Sequence, residues 1–191
     1  MYSGRIKFIL IVFIFTIPFV ISYYLSKDYH AGGELQTSNY GSFINPIVNL
    51  SQTSLNDYSG ENFIVNQHLN KWGLIYRMSE NCSQKCEEEI YLIRQVNIAL
   101  GKDMNRLQRV IVLSKSISDS EIEEVVAKYP KSIIVKNNSS TFIDEINKIT
   151  NRHVLLLTDP LGNVILGYDQ DFEGKKLLKD IKKLLKLSKI G

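Results

Sequence analysis

The chain has 191 residues, 23 Lys and Arg against 20 Asp and Glu, a net charge of +3 and a pI near 8.7. So mild a basic excess gives no electrostatic footprint for nucleic acid, and the ordinary apolar and charged fractions, without repeats or low-complexity tracts, exclude a disordered or fibrous chain. Once the apolar N-terminal stretch is set aside, the remainder is enough for one domain and too little for two.

The first element in chain order is that stretch. Phe8 to Leu25 reads FILIVFIFTIPFVISYYL, without a charge, close to the ~20 residues that cross a bilayer. Pro18 is tolerated in such a helix, and Tyr23 and Tyr24 stand where an interfacial aromatic belt is expected. Arg5 and Lys7 precede the span, while Lys27 and Asp28 cancel after it. The positive-inside rule therefore predicts a cytoplasmic tail over 1–7, a transmembrane anchor over 8–25, and everything beyond it outside the cytoplasm. A cleaved secretory signal is the rival reading, but no small-x-small site follows the apolar run.

Residues 26–55 are rich in Gly, Ser, Asn and Thr and read as a stalk or a wrapping extension. The packed domain is expected over 56–191. Phe63-Ile64-Val65 and Trp72 to Met78 read as strands, the second a near-continuous apolar run of the kind buried in a sheet centre. After the cysteines, Glu87-Glu88-Glu89 suit the first turn of a helix, and Ile90, Ile93, Val96 and Leu100 recur at helical spacing before Gly101. Val110 to Leu113 is a short buried strand. Ser118 or Asp119 caps a helix to Lys128, Ile133 to Val135 is a third run, and Ser139 or Ser140 caps a helix over 141–149. Val154 to Thr158 and Val164 to Tyr168 form a hairpin around Asp159-Pro160-Leu161-Gly162-Asn163, and a lysine-rich amphipathic helix follows. Its bland role is to pack an apolar stripe on the sheet; it also has the composition of a helix that lies on anionic lipid. The element order predicts an α/β, thioredoxin-like domain behind an N-terminal transmembrane helix.

Chemistry concentrates at one point. The two cysteines of the chain are Cys82 and Cys86, four apart, between a core strand and a helix. Outside the cytoplasm such a pair is a disulfide or a guarded dithiol. Residues four apart in a helix have Cβ atoms roughly 5–6 Å apart, longer than the ~3.8 Å mean of a disulfide, so a disulfide requires Cys82 to lie in the loop. As thiolates the pair selects a soft ion, Cu(I) above all, with an imidazole as the usual third partner. The alternative is a structural disulfide, whose small loop stabilises little.

The single span, the CxxxC after the first core strand and the Asp159-Pro160-Leu161-Gly162 hairpin before a final helix resemble the Sco/SenC family of copper-handling, thioredoxin-fold cytochrome oxidase assembly factors. Asn39 to Pro46, Leu157 to Asn163 and Leu177 to Gly191 look closer still to a poorly characterised branch of single-span bacterial proteins associated with haem–copper oxidase. The resemblance implies a bacterial inner-membrane protein with its domain in the periplasm. Cys82 and Cys86 would be its redox pair or Cu(I) ligands, and a haem–copper oxidase subunit or its assembly factors the partner.

This sequence departs from the family pattern twice. Glu87 follows the second cysteine where the family usually has Pro, and the register of the family's third ligand, a His ahead of the hairpin, falls on Asn151. The nearest imidazole is His153, two residues on, and an offset of two keeps the same side of an extended strand. His153 is therefore the candidate third metal ligand, ahead of His68 and of the Met78 thioether, against the alternative of a strand-edge His beside Arg152 with no metal role. The function expected is assistance to cytochrome c oxidase assembly, as Cu(I) carrier or as thiol–disulfide reductant of the oxidase copper site. The alternatives are a non-catalytic docking protein with a structural disulfide and a general periplasmic thiol–disulfide reductase.

Overall fold

The computed structural model describes residues 4–30, 38–51, 53–57, 62–64, 70–78, 82–113, 117–136, 142, 145–146, 153–188 and 190–191. They fall into two units, Met1–Ser38 and Asn39–Gly191. The first is built on α1, Gly4–His30, which contains Pro18; Gly4–Tyr24 is long and apolar enough to cross a membrane.

Among the described residues the second unit contains an eight-stranded mixed sheet. Its strands are β1 (Ser42–Asn49), β2 (Ser54–Asp57), β3 (Asn62–Ile64), β4 (Trp72–Arg77), β5 (Leu107–Leu113), β6 (Ile133–Lys136), β7 (Leu155–Thr158) and β8 (Asn163–Tyr168), in the order β1-β8-β7-β4-β5-β6-β2-β3. β4, β5 and β6 run parallel, and β7 pairs antiparallel to β4. Both edges of β4 are hydrogen-bonded and five of its six residues are buried, which is why it reads as an unbroken apolar run.

The helices α2 (Gln84–Ala99), α3 (Asp119–Lys128) and α4 (Gly174–Leu187) pack on one face of the sheet. They share a core with Leu74, Tyr76, Ile111, Leu155 and Leu157, to which Cys86, Ile90, Ile122, Val125, Leu177 and Ile181 belong. The other face carries Ile75, Val110, Val112 and Leu156 against Ile44 and Val48 of β1 and the helical residues Phe142 and Ile146. Of the two caps the sequence offers, Ser118 is the N-cap of α3, in a capping box with Glu121. In the hairpin turn Gly162 has φ +85°, and Asp159 Oδ1 accepts from the N–H groups of Leu161 and Asn163, so turn chemistry accounts for Asp159.

Two boundaries differ from the sequence reading. The compact unit starts at Asn39 and not near residue 56: β1 lies inside the expected extension and β2 straddles its end, β1 pairing antiparallel to β8. Its Pro46 and a register shift between Phe43 and Val48 hid the strand pattern, both features of edge strands. The helix after the cysteines begins at Gln84, three residues earlier than the glutamate run suggested, because Ser83 is its N-cap.

Candidate functional site

Cys82 and Cys86 are disulfide-bonded with Cα atoms 5.2 Å apart. Cys82 lies outside α2, as the Cβ spacing required, while Cys86 sits in its first turn, where its N–H donates to Ser83 Oγ at 3.5 Å. Cys86 is 5% exposed within the core under α2. Cys82 is half-buried and lines a cavity of about 220 Å³ with Met78, Ile117, Val125 and Tyr129, under a rim of Glu87, Glu121, Glu124 and Lys128. Of the two sulfurs, that of Cys82 belongs to the residue a partner can reach.

The first turn of α2 is clasped from both sides. Lys128 Nζ of α3 pairs with Glu87 at 2.7 Å, and the Glu87 carboxylate raises the lysine's pKa. Across the helix Lys85 pairs with Asp171 at 2.6 Å. Beneath it the buried Glu89 accepts from Tyr76 Oη at 2.8 Å and from the Asp171 N–H at 3.1 Å. Burial, then the bond to Glu89, pushes the Tyr76 phenol far above its ordinary range. These contacts fix the helix N-terminus on β4 and so hold Cys86 in place, while its backbone N–H groups favour a thiolate there.

His153 is placed differently from the expectation. Its backbone joins the end of β4 that leads to the cysteines, since its carbonyl accepts from Arg77 at 3.4 Å and the next residue's carbonyl accepts from the Arg77 N–H. The imidazole, however, lies over Gly167, where a Cβ would meet ring atoms at 2.4 to 2.9 Å. Gly167 stands between Leu166 and Tyr168, whose side chains enter the core beneath α2. By strand alternation Gly167 faces the opposite side, and the His153 ring therefore lies on the face of the sheet away from Cys86. Nδ1 is engaged by Asp169 Oδ1 at 2.7 Å. β7 starts only at Leu155, so His153 precedes the extended register and the period-two alternation does not carry over to it. Among the described residues no group of three or more His, Cys, Asp and Glu could hold a metal ion, so a site of Cys82, Cys86 and His153 does not fit this arrangement. Met78, which shares the cavity with Cys82, is the remaining soft donor there; His68 and Asn151 lie outside the described residues.

Residues 72–188 match the model of the transmembrane-like, thioredoxin-like, C-terminal domain family. The chain belongs to that family. No curated protein matches it. Its fold is that of solved Sco proteins. Yeast Sco1 with copper bound superposes with a TM-score of 0.59 at 17% identity, covering 80% of this chain and 96% of that one. BsSco, described as carrying a disulfide switch and as a member of the Sco family of cytochrome c oxidase assembly proteins, gives 0.58 at 11% identity over 80% and 100%. The dsbF protein of MTB, in mixed oxidised and reduced forms, gives 0.54 at 18% identity over 71% and 96%. The expected thioredoxin-like, Sco-like fold behind one apolar N-terminal helix is thus the observed one.

Two buried carboxylates escaped the sequence reading. Glu89 was grouped with its neighbours as a helix-dipole acid. Asp180, 1% exposed, accepts from the N–H groups of Tyr40 and Gly41 and from Tyr168 Oη, fastening the start of β1 to α4. The signal was available: Asp180 is the sole acid of α4 and stands in phase with Leu177, Ile181 and Leu184 on its apolar stripe.

Proposed function

We propose that the protein is a membrane-anchored thiol–disulfide oxidoreductase of the periplasm, which reduces the copper-site cysteines of a haem–copper oxidase so that the metal can load. The observation that carries this reading is the asymmetry of the pair: Cys82 opens on a cavity while Cys86 is buried at the head of α2. In the reducing direction the Cys82 thiolate attacks one sulfur of the client disulfide, breaking it and releasing a client thiolate that takes up a proton. The Cys86 thiolate then attacks Cys82 Sγ in the mixed disulfide and expels the second client thiol. The Cys82–Cys86 disulfide is the product, and an upstream dithiol returns it to the reduced state. The Sco-like fold supports the oxidase as client, and the N-terminal helix supports anchoring with the domain outside the cytoplasm.

Carriage of Cu(I) by the reduced pair is the second reading, favoured by the Met78 side chain on the Cys82 cavity and by the copper-bound Sco structures. The test of the pair is replacement of each cysteine by Ser in the native cell, reading the copper content of the oxidase. Loss of copper in both variants is expected; fully loaded oxidase in both would sink the proposal.

A further inference from the structure

The outward side of α4 consists almost wholly of lysine. Lys175, Lys176, Lys179, Lys182, Lys183 and Lys186 are all exposed, and the one acid of the helix, Asp180, is buried and spent on Tyr40, Gly41 and Tyr168. At 100° per residue the six span an arc of roughly 120°, a single face and not a scatter of charges. A final helix that only needed to be soluble would mix both signs.

A second observation adjoins it. Between α4 and α2 runs a mainly apolar groove of about 400 Å³, lined by Leu92, Val96, Ala99 and Leu178 with Lys175 and Glu173 at its lip, the Glu173 carboxylate being paired with Lys176 at 2.6 Å. A row of ammonium groups beside an apolar furrow is the pattern of an interfacial element, with lysines at phosphate level and apolar surface toward the acyl boundary.

Connectivity supplies the third. The chain enters the sheet unit against this helix: Asp180 holds the N–H groups of Tyr40 and Gly41, Lys183 Nζ donates to Asn39 Oδ1 at 3.3 Å, and Lys176 and Lys179 stand 5.7 and 5.6 Å from the Tyr40 ring centroid. Fourteen residues separate Tyr24, the last of the apolar span, from Asn39. Six of these belong to α1, so the tether reaches at most about 40 Å. Whatever the tether's path, its attachment point is α4, and its shortness keeps the local concentration of lipid headgroups at that helix high.

We propose that the lysine face of α4, with the α2–α4 groove, docks on the anionic surface of a phospholipid bilayer. The inference rests on the anchored reading of α1. Each lysine facing the surface gains attraction to the lipid phosphates, and the attraction is screened by salt.

The test uses the full chain mixed with vesicles of pure phosphatidylcholine or of equal phosphatidylcholine and phosphatidylglycerol, with amine acylation of each lysine followed by mass spectrometry. Acylation of Lys175, Lys179, Lys182 and Lys186 is expected to slow by about fivefold or more on the anionic vesicles, with Lys102 and Lys131 unchanged. Raising salt from about 0.05 to about 0.5 M should reverse it. Equal rates on both vesicles would overturn the proposal, as would protection that appears only in native membranes, which would assign the face to an acidic protein. Flotation separates the two claims. Failure to float with neutral vesicles removes the anchor, while selective flotation with anionic ones would still support the lysine face. A Lys179→Glu/Lys182→Glu/Lys186→Glu variant should lose the lipid-dependent protection of Lys175 and keep its thiol chemistry.

Discussion

His153 Nδ1–H donates to Asp169 Oδ1 at 2.7 Å, and its ring covers Gly167 on the sheet face away from Cys86. The imidazole thus packs on the face of β8, and the missing side chain of Gly167 is the space it fills. Gly167→Ala should destabilise the folded unit by about 1–3 kcal/mol through overpacking. In a His153→Ala background that penalty should vanish, which a double-mutant cycle by urea denaturation measures as coupling. Additive effects would mean that the ring does not occupy this position.

The burial difference between the two cysteines predicts unequal variants. Cys86→Ser should accumulate a mixed disulfide between Cys82 and an oxidised client peptide, because the resolving thiolate is gone; Cys82→Ser should form none. Non-reducing mass spectrometry reads both. Loss of the disulfide should lower stability by about 2 kcal/mol on loop-entropy grounds, so both variants should remain folded.

Tyr76 and Tyr168 predict an alkaline limit. Burial, reinforced by Glu89 for the first and by Asp180 for the second, raises both phenols above their ordinary value. A group with a raised folded-state pKa contributes stability that is fully present below its unfolded value and lost as pH rises above it. Urea midpoints should therefore hold up to about pH 10 and fall beyond it. Tyr76→Phe and Tyr168→Phe should each flatten that fall; an unchanged slope in both would contradict the assignment.

Asp180 predicts that the start of β1 depends on α4. Asp180→Ala leaves two N–H groups and a phenol without their acceptor, at a cost of about 1–3 kcal/mol for each buried group left unpaired. Hydrogen exchange should show residues 40–44 losing protection before β4 and β5 do. Uniform loss across the sheet would refute a local fastening role.

The sheet was legible where period and burial agree. β4, β5 and β6 were read from apolar runs, the hairpin from Asp159-Pro160-Leu161-Gly162, and α3 from Ser118. The location of Cys82 off the helix was legible only as the condition for a disulfide, since the Cβ spacing within a helix is too long for one. What stayed hidden depends on contacts distant in sequence. β1 shows no alternation because Pro46 and a bulge interrupt it, and it joins the sheet through its ladder with the distant β8, its start fastened by the bond from Tyr40 to Asp180, 140 residues away. The face taken by His153 was decided by the residue at which β7 becomes regular, and by a glycine on the neighbouring strand that leaves room for a ring. Period two alone carries neither fact.

The central claim is reduction of a client by the Cys82/Cys86 dithiol. Its most direct measurement mixes the reduced full-length protein, without oxygen or metal, with an oxidase copper-site fragment whose cysteines are disulfide-bonded, and counts thiols on each protein by alkylation and mass spectrometry. The account predicts two client thiols for every Cys82–Cys86 disulfide formed, unaffected by His153→Ala. A client that stays oxidised, yet accepts Cu(I) from the loaded protein once reduced by other means, would contradict it.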